Sequence, residues 1–359
     1  MLTNASHPSW WDEHSDQPRR LSAEDKKHRS PANAMDYVKT GGTALALLPR
    51  ILNHYRTLPP LRNSADINDF IGLGISPDRG CTQQIIDLVQ DLGVQQIQLR
   101  VPTWHADQLD DYLELAQALA GRNLLVTILQ SRQSVADISA WSDAVSHIVE
   151  TFLPLTQEFQ IGNAINRSKW GCHNTTDYLR LLETLPDLKA RYPEIVLAGS
   201  SVIDFEPLAT LRTLFNGHQF DLDACCALLY VNRRGSPFSK QYGLFDLRRK
   251  LRLIATLASL SKRCASRLWI TETNWPLLDT QPFTPNSGNA RSTVNETTQA
   301  KYLTDYYPTA WRTGLVERVY WWQLNQAGYG LVDHRPNIPR KMPSFYAFKK
   351  LLSPNGLSS

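Results

Sequence analysis

From Asp66 onward the chain alternates eight times between a short apolar segment of strand composition, a polar turn and a stretch of helical periodicity. The apolar segments are Phe70 to Ile75, Val94 to Val101, Leu124 to Leu129, Phe159 to Gly162, Ile195 to Gly199, Ala224 to Val231, Leu268 to Ile270 and Val316 to Leu324. Between the first two, Ile85, Ile86, Leu88, Val89 and Leu92 fall on one side of a helix over Gln83 to Leu92. Eight such units with no expected extra strand pairs predict an α/β fold, a (β/α)8 TIM barrel over residues 66–359. A doubly wound open sheet is the competing architecture. It would show fewer units and a glycine-rich phosphate loop, which this chain lacks.

Residues 1–65 read as an N-terminal extension. Trp10-Trp11-Asp12-Glu13 and the mixed-charge stretch Arg19 to Arg29 carry no sustained period, which predicts irregular chain. Thr43 to Leu58 predicts one amphipathic helix interrupted at Pro49, covering an end or side of the barrel. Recruitment of a partner or contact with a membrane surface is a second use for such a helix. The segment from Met1 to Ser30 lacks the apolar centre of a signal peptide, and no run approaches a membrane span, so a cytoplasmic address is expected.

Composition narrows the partners. A net charge of +4 over 359 residues gives no ground for nucleic acid or an anionic membrane. Five cysteines without CxxC or Cys/His spacing imply buried thiols, no metal and no other cofactor. Cys225 and Cys226, adjacent in one strand, should face opposite sides of the sheet.

In a barrel of this kind, functional residues project from the C-terminal strand ends into one mouth. Those ends supply Arg79, Arg100, His105, Asn163, Tyr230, Glu272, Trp275, Trp321 and Trp322, with Trp170 on a following loop. Arginine, amide, tyrosine, carboxylate and tryptophan together suit a carbohydrate. Asn163 at the end of strand four, Glu272 at the end of strand seven, and Val319-Tyr320-Trp321-Trp322 on strand eight resemble the clan A retaining glycoside hydrolases, with the xylosidase- and iduronidase-like family 39 as a relative. The resemblance spans Phe70 to about Leu352. It implies a β-glycosidase that forms a glycosyl-enzyme on Glu272, with Asn163 on the sugar 2-hydroxyl, Tyr230 orienting Glu272 and Trp321 beneath the sugar. Arg100 is expected to keep Glu272 ionised by its charge. His105, Arg79, Trp170 and Trp275 are further candidates for sugar contact.

The chain departs from that pattern at one position. The clan has a Glu after the strand-four Asn, serving as acid/base, and this chain has Ala164. Retaining hydrolysis uses two carboxyl groups roughly 5 to 5.5 Å apart. Ala164 is therefore read either as an engineered replacement that inactivates an enzyme or as the residue of a natural barrel that binds glycans without cutting them. In a third account, His173 or Glu206 supplies the proton.

Overall fold

The computed structural model describes residues 7–22, 31–62, 66–77, 82–231, 235–284, 292–335, 338–354 and 356–357. A hairpin of β1 (Trp11–Asp12) and β2 (Gln17–Pro18) comes first. The barrel strands follow as β3 (Ile71–Ile75), β4 (Gln96–Pro102), β5 (Asn123–Leu129), β6 (Glu158–Ile161), β7 (Val196–Ile203), β8 (Ala224–Leu228), β9 (Leu268–Thr273) and β10 (Arg318–Trp321). Each pairs in parallel with the next, and β10 closes on β3 through Val319 opposite Ile71. The fold is thus the (β/α)8 barrel. A second small hairpin, β11 (Val332–Asp333) with β12 (Arg340–Lys341), follows the last barrel strand. Neither hairpin was expected, because two-residue strands are too short to show a period.

The helices are α1 (Pro31–Thr57), α2 (Ile67–Phe70), α3 (Thr82–Leu92), α4 (Asp110–Ala118), α5 (Arg132–Ala136), α6 (Ile138–Phe152), α7 (Thr175–Leu182), α8 (Leu185–Arg191), α9 (Pro207–Leu214), α10 (Leu247–Leu260), α11 (Glu296–Arg312) and α12 (Pro343–Leu351). Side-chain capping starts several of them: Asn174 and Ser131 form capping boxes, and Asp246 accepts from the Arg249 amide at the start of α10. Helix α1 begins earlier than its apolar periodicity and runs on through Pro49. It packs on α9 and α10 through buried Thr40 and Ile51.

Strand alternation sorts side chains between two cores. Leu125, Ala198, Ala224, Cys226, Trp269 and Tyr320 fill the barrel interior, while Cys225, Ile270 and Trp321 face the helices. Cys225 and Cys226 accordingly part to opposite sides, and the described cysteines are free and buried. On β3, glycine occupies the inward positions for steric reasons. A Cβ on Gly72 would lie 2.3 Å from the Tyr320 ring, and one on Gly74 would lie 2.1 Å from the Trp322 ring. Those two glycines let strand eight send aromatic rings into the barrel and its mouth.

Candidate active site

A cavity of about 390 Å³ opens at the C-terminal ends of the strands. Glu272, the fifth residue of β9, stands in its wall and is almost fully buried. The Tyr230 hydroxyl donates to Glu272 Oε2 at 2.8 Å, and Arg100 Nη1 lies 3.9 Å from Oε1. Asn163 sits beside them, its backbone pinned on both sides by the Gln130 side chain at 2.8 Å. Burial raises the Glu272 carboxyl above its ordinary value, while Arg100, Tyr230 and Asn163 pull it back down. The expectation that Arg100 governs this group is thereby modified: the cation acts in the expected direction, and desolvation outweighs it.

The N-terminal extension supplies part of this site. The hairpin lies in the barrel mouth and brings Ser15, Asp16 and Gln17 to the cavity wall. Asp16 Oδ2 is 3.3 Å from Arg100 Nη1, closer than Glu272, and accepts from Gln323 Nε2 at 3.0 Å. Tyr329 donates to the Ser15 carbonyl at 3.0 Å, and Gln326 to the His14 carbonyl at 2.8 Å. Trp11 is buried, with its ring 5.1 Å from Trp104 and 5.7 Å from Trp170. Asp16 adopts φ +52°, a left-handed conformation that aspartate tolerates better than most residues. Its carboxylate adds to the upward push on Glu272.

Ala164 lies outside the cavity lining. It is completely buried, at φ +47°, in an apolar cluster with Trp11, Leu129, Trp170, Leu228 and Tyr230. Trp11 of the hairpin belongs to the same buried cluster as Ala164. Of the substitutes considered for that acid, Glu206 lines the cavity but is paired with Arg167, which also binds Asp204 at 2.7 Å. His173 lines a separate groove.

Strand eight requires a correction. Trp321, expected beneath the sugar, is fully buried on the helix side, with its ring 6.0 Å from that of Trp275. Trp322 lines the cavity instead, with the Arg100 guanidinium 4.3 Å from its ring centre. The reason is the period of two: Tyr320 points into the barrel, so Trp321 must point out and the next residue in. Trp275 belongs to that outer packing, and its indole donates to the Gly235 carbonyl at 2.9 Å. His105 is buried beside the mouth, with Nδ1 2.9 Å from the Tyr112 hydroxyl and its ring 4.8 Å from that of His7. Trp170 does line the cavity, and Arg79 lies outside the described residues.

Sequence reading missed Asp16, Gln17, Arg167 and Lys169, all cavity-lining. Lys169 hydrogen-bonds Gln17, and burial brings its ammonium down to about 8. Two polar atoms at the cavity, Asn163 Oδ1 and Arg100 Nη2, are buried and have no hydrogen-bond partner.

Neither a family model nor a curated protein matches the chain. Solved structures similar to this chain include glycoside hydrolases. A family 39 glycoside hydrolase from the gut symbiont Bacteroides cellulosilyticus WH2 superposes with a TM-score of 0.60 at 13% identity, over 82% of this chain and 66% of that one. A β-glucosidase from Thermotoga maritima gives 0.59 at 10% identity, over 80% and 98%. A β-glucosidase from Exiguobacterium marinum gives 0.57 at 11% identity, over 83% and 100%. At these identities the likeness establishes the barrel fold. No helix among the described residues is long and apolar enough to cross a membrane.

Proposed function

We propose that the chain is a carbohydrate-active barrel with a retaining β-glycosidase site, in which Glu272 is the nucleophile and the acid/base position is vacated at Ala164. The carrying observation is the contact set on Glu272: a tyrosine hydroxyl on one oxygen, a guanidinium near the other, and an amide beside both. Two partners fix a carboxylate's direction, and burial strips it of water, as nucleophilic attack at an anomeric carbon requires. Asn163 would hydrogen-bond the sugar 2-hydroxyl, and Trp322 and Trp170 would face the apolar side of the ring.

The Glu272 carboxylate displaces the leaving oxygen, forming a C–O bond to the sugar as the glycosidic C–O bond breaks. Water then hydrolyses the ester with net retention. Without a strand-four acid, the leaving group must depart as its own anion. Turnover is therefore expected with activated aryl β-glycosides and slower by about 10²- to 10⁴-fold with alkyl glycosides. Azide, which needs no base, should accelerate the second step and give a β-glycosyl azide. An α-azide, or equal turnover by Glu272→Gln, would remove Glu272 from this role.

The packing of Ala164 favours a second reading, a barrel that binds glycans without cutting them. Alanine there is completely buried in an apolar cluster that includes Trp11. Calorimetric binding of an oligosaccharide, with no aryl glycoside turned over in azide, selects that reading.

A further inference from the structure

Beside the cavity at Glu272 lies a groove of about 450 Å³, larger than the cavity itself at about 390 Å³. Glu206 and Tyr242 stand in the walls of both, so the two spaces meet along one edge. That edge is held in place. Asn166 donates to Glu206 Oε2 at 2.7 Å and accepts from the Ile203 amide at 2.9 Å, and Arg167, which lines the cavity, pairs with Glu206.

Three helices build the groove. Asp36 and Thr40 reach it from α1, Thr175 from the start of α7, and Leu208 and Arg212 from α9. An ion pair ties these helices together: Arg212 Nε binds Asp36 Oδ1 at 2.8 Å, with both side chains largely buried, and Thr176 donates to the same oxygen at 3.0 Å. A helix of the N-terminal extension is thereby one wall of a space that opens beside the cavity.

Composition indicates the ligand. Asp36 is neutralised by Arg212 and Glu206 by Arg167, so the carboxylates of the groove are already answered and a neutral ligand fits best. Thr40, Asn166 and Thr175 line it with hydroxyl and amide groups. Tyr37 and Tyr242 also line it, yet their side chains are 76% and 73% exposed, and among the described residues neither ring stacks on another. Tyr242 holds its place at φ +53°, a left-handed conformation rare for a bulky residue. Strain of this kind persists where the surroundings impose it, and it gathers at ligand clamps. An exposed ring beside a groove offers a flat apolar surface with a hydroxyl rim, which suits the CH face of a pyranose.

We propose that the groove receives the further sugar units of a neutral glycan chain whose first unit lies at Glu272, with the Tyr242 and Tyr37 rings as stacking platforms. The chain crosses the edge at Glu206 and Tyr242 and runs toward α1. The inference rests on the glycan reading of the cavity and deepens it: the ligand is a chain of several sugar units, and α1 takes part in its selection.

The test is calorimetric titration of the full chain with neutral β-linked gluco-, manno-, galacto- and xylo-oligosaccharides of one to six units. For the series that binds, affinity is expected to rise roughly 100-fold from disaccharide to hexasaccharide, about tenfold for each ring. Tyr37→Ala and Tyr242→Ala should each lower the hexasaccharide-to-disaccharide ratio roughly tenfold, whereas Tyr37→Phe and Tyr242→Phe, which keep the ring, should retain it. Both positions are exposed, so the variants should fold, and a loss of active protein would lower the signal at both lengths alike. An affinity independent of length, or a ratio unchanged by both alanine variants, overturns the inference and leaves the glycan reading standing. Failure of every series at every length overturns both. A gain from methyl to octyl β-glucoside that Tyr37→Ala abolishes, without a gain across the oligosaccharides, also overturns it and assigns the groove to an apolar aglycone.

Discussion

Placing glutamate at position 164 tests how hairpin and barrel fit together. The site is fully buried and apolar, at φ +47°, and Trp11 contributes to its covering. A glutamate there has two routes. It can stay under Trp11 as a neutral acid with its polar atoms short of partners, at a cost of about 1–3 kcal/mol. Alternatively it can expel Trp11, giving up a buried indole whose removal costs about 3–5 kcal/mol. Overpacking of a fully buried site adds about 1–3 kcal/mol to the first route, so Ala164→Glu should destabilise the protein by about 2–6 kcal/mol, while the Asp16 and Ser15 contacts keep the hairpin docked. A lowered melting temperature should accompany an unchanged near-ultraviolet circular dichroism signal from the ring contacts of Trp11 with Trp104 and Trp170. Adding Trp11→Gly opens the covering, so the carboxyl can reach solvent and then the cavity, and only this double variant should gain hydrolysis of alkyl glycosides. Full stability together with hydrolytic gain in Ala164→Glu alone would refute the account, since it would mean that position 164 already faces the cavity.

Other perturbations bear on the same site. Tyr230→Phe removes a 2.8 Å hydrogen bond to a carboxylate, worth about 1.5–3 kcal/mol, so kcat/KM for an aryl glycoside should fall roughly 10- to 100-fold. The acid limb of its pH profile should also move upward, because one group holding the Glu272 carboxyl down is lost. The folded state holds the Glu272 proton more tightly than the unfolded chain, so this residue's contribution to stability declines as pH rises from the ordinary glutamate value through the raised one. Denaturant titration of Glu272→Gln across that interval should show a flatter stability curve than the parent, and an unchanged slope would contradict the burial argument. Gly74→Ala would put a methyl 2.1 Å from the Trp322 ring, displacing the indole from the mouth. Glycan affinity should then fall together with a loss of stability approaching the roughly 3–5 kcal/mol of a lost buried indole, measured by calorimetry and thermal melting.

The sequence was most legible where a period was long and the packing local. Eight strand–helix units could be read because each strand needs a continuous apolar run and each helix an apolar side. Those signals survive without knowledge of neighbours. Strand-end position then singled out Glu272, Asn163, Arg100 and Tyr230, which the barrel does bring together. Reading failed where one residue decides a direction. The side of β10 on which an indole falls depends on register, and the glycine on β3 that admits Trp322, Gly74, is 248 positions away in the chain.

The sequence alone therefore determined the architecture and the position of Glu272 at a strand end, since both follow from local periodicity and strand order. Only the tertiary structure decided that the extension's first residues belong to the site. Residues 7–22 have no period to reveal a destination. Their place is set by complementary surfaces distant in sequence: Trp11 over Ala164, Asp16 on Arg100 and Gln323, Ser15 beneath Tyr329. A two-residue strand owes its conformation to such contacts, and contacts of this range become visible only once the barrel has closed.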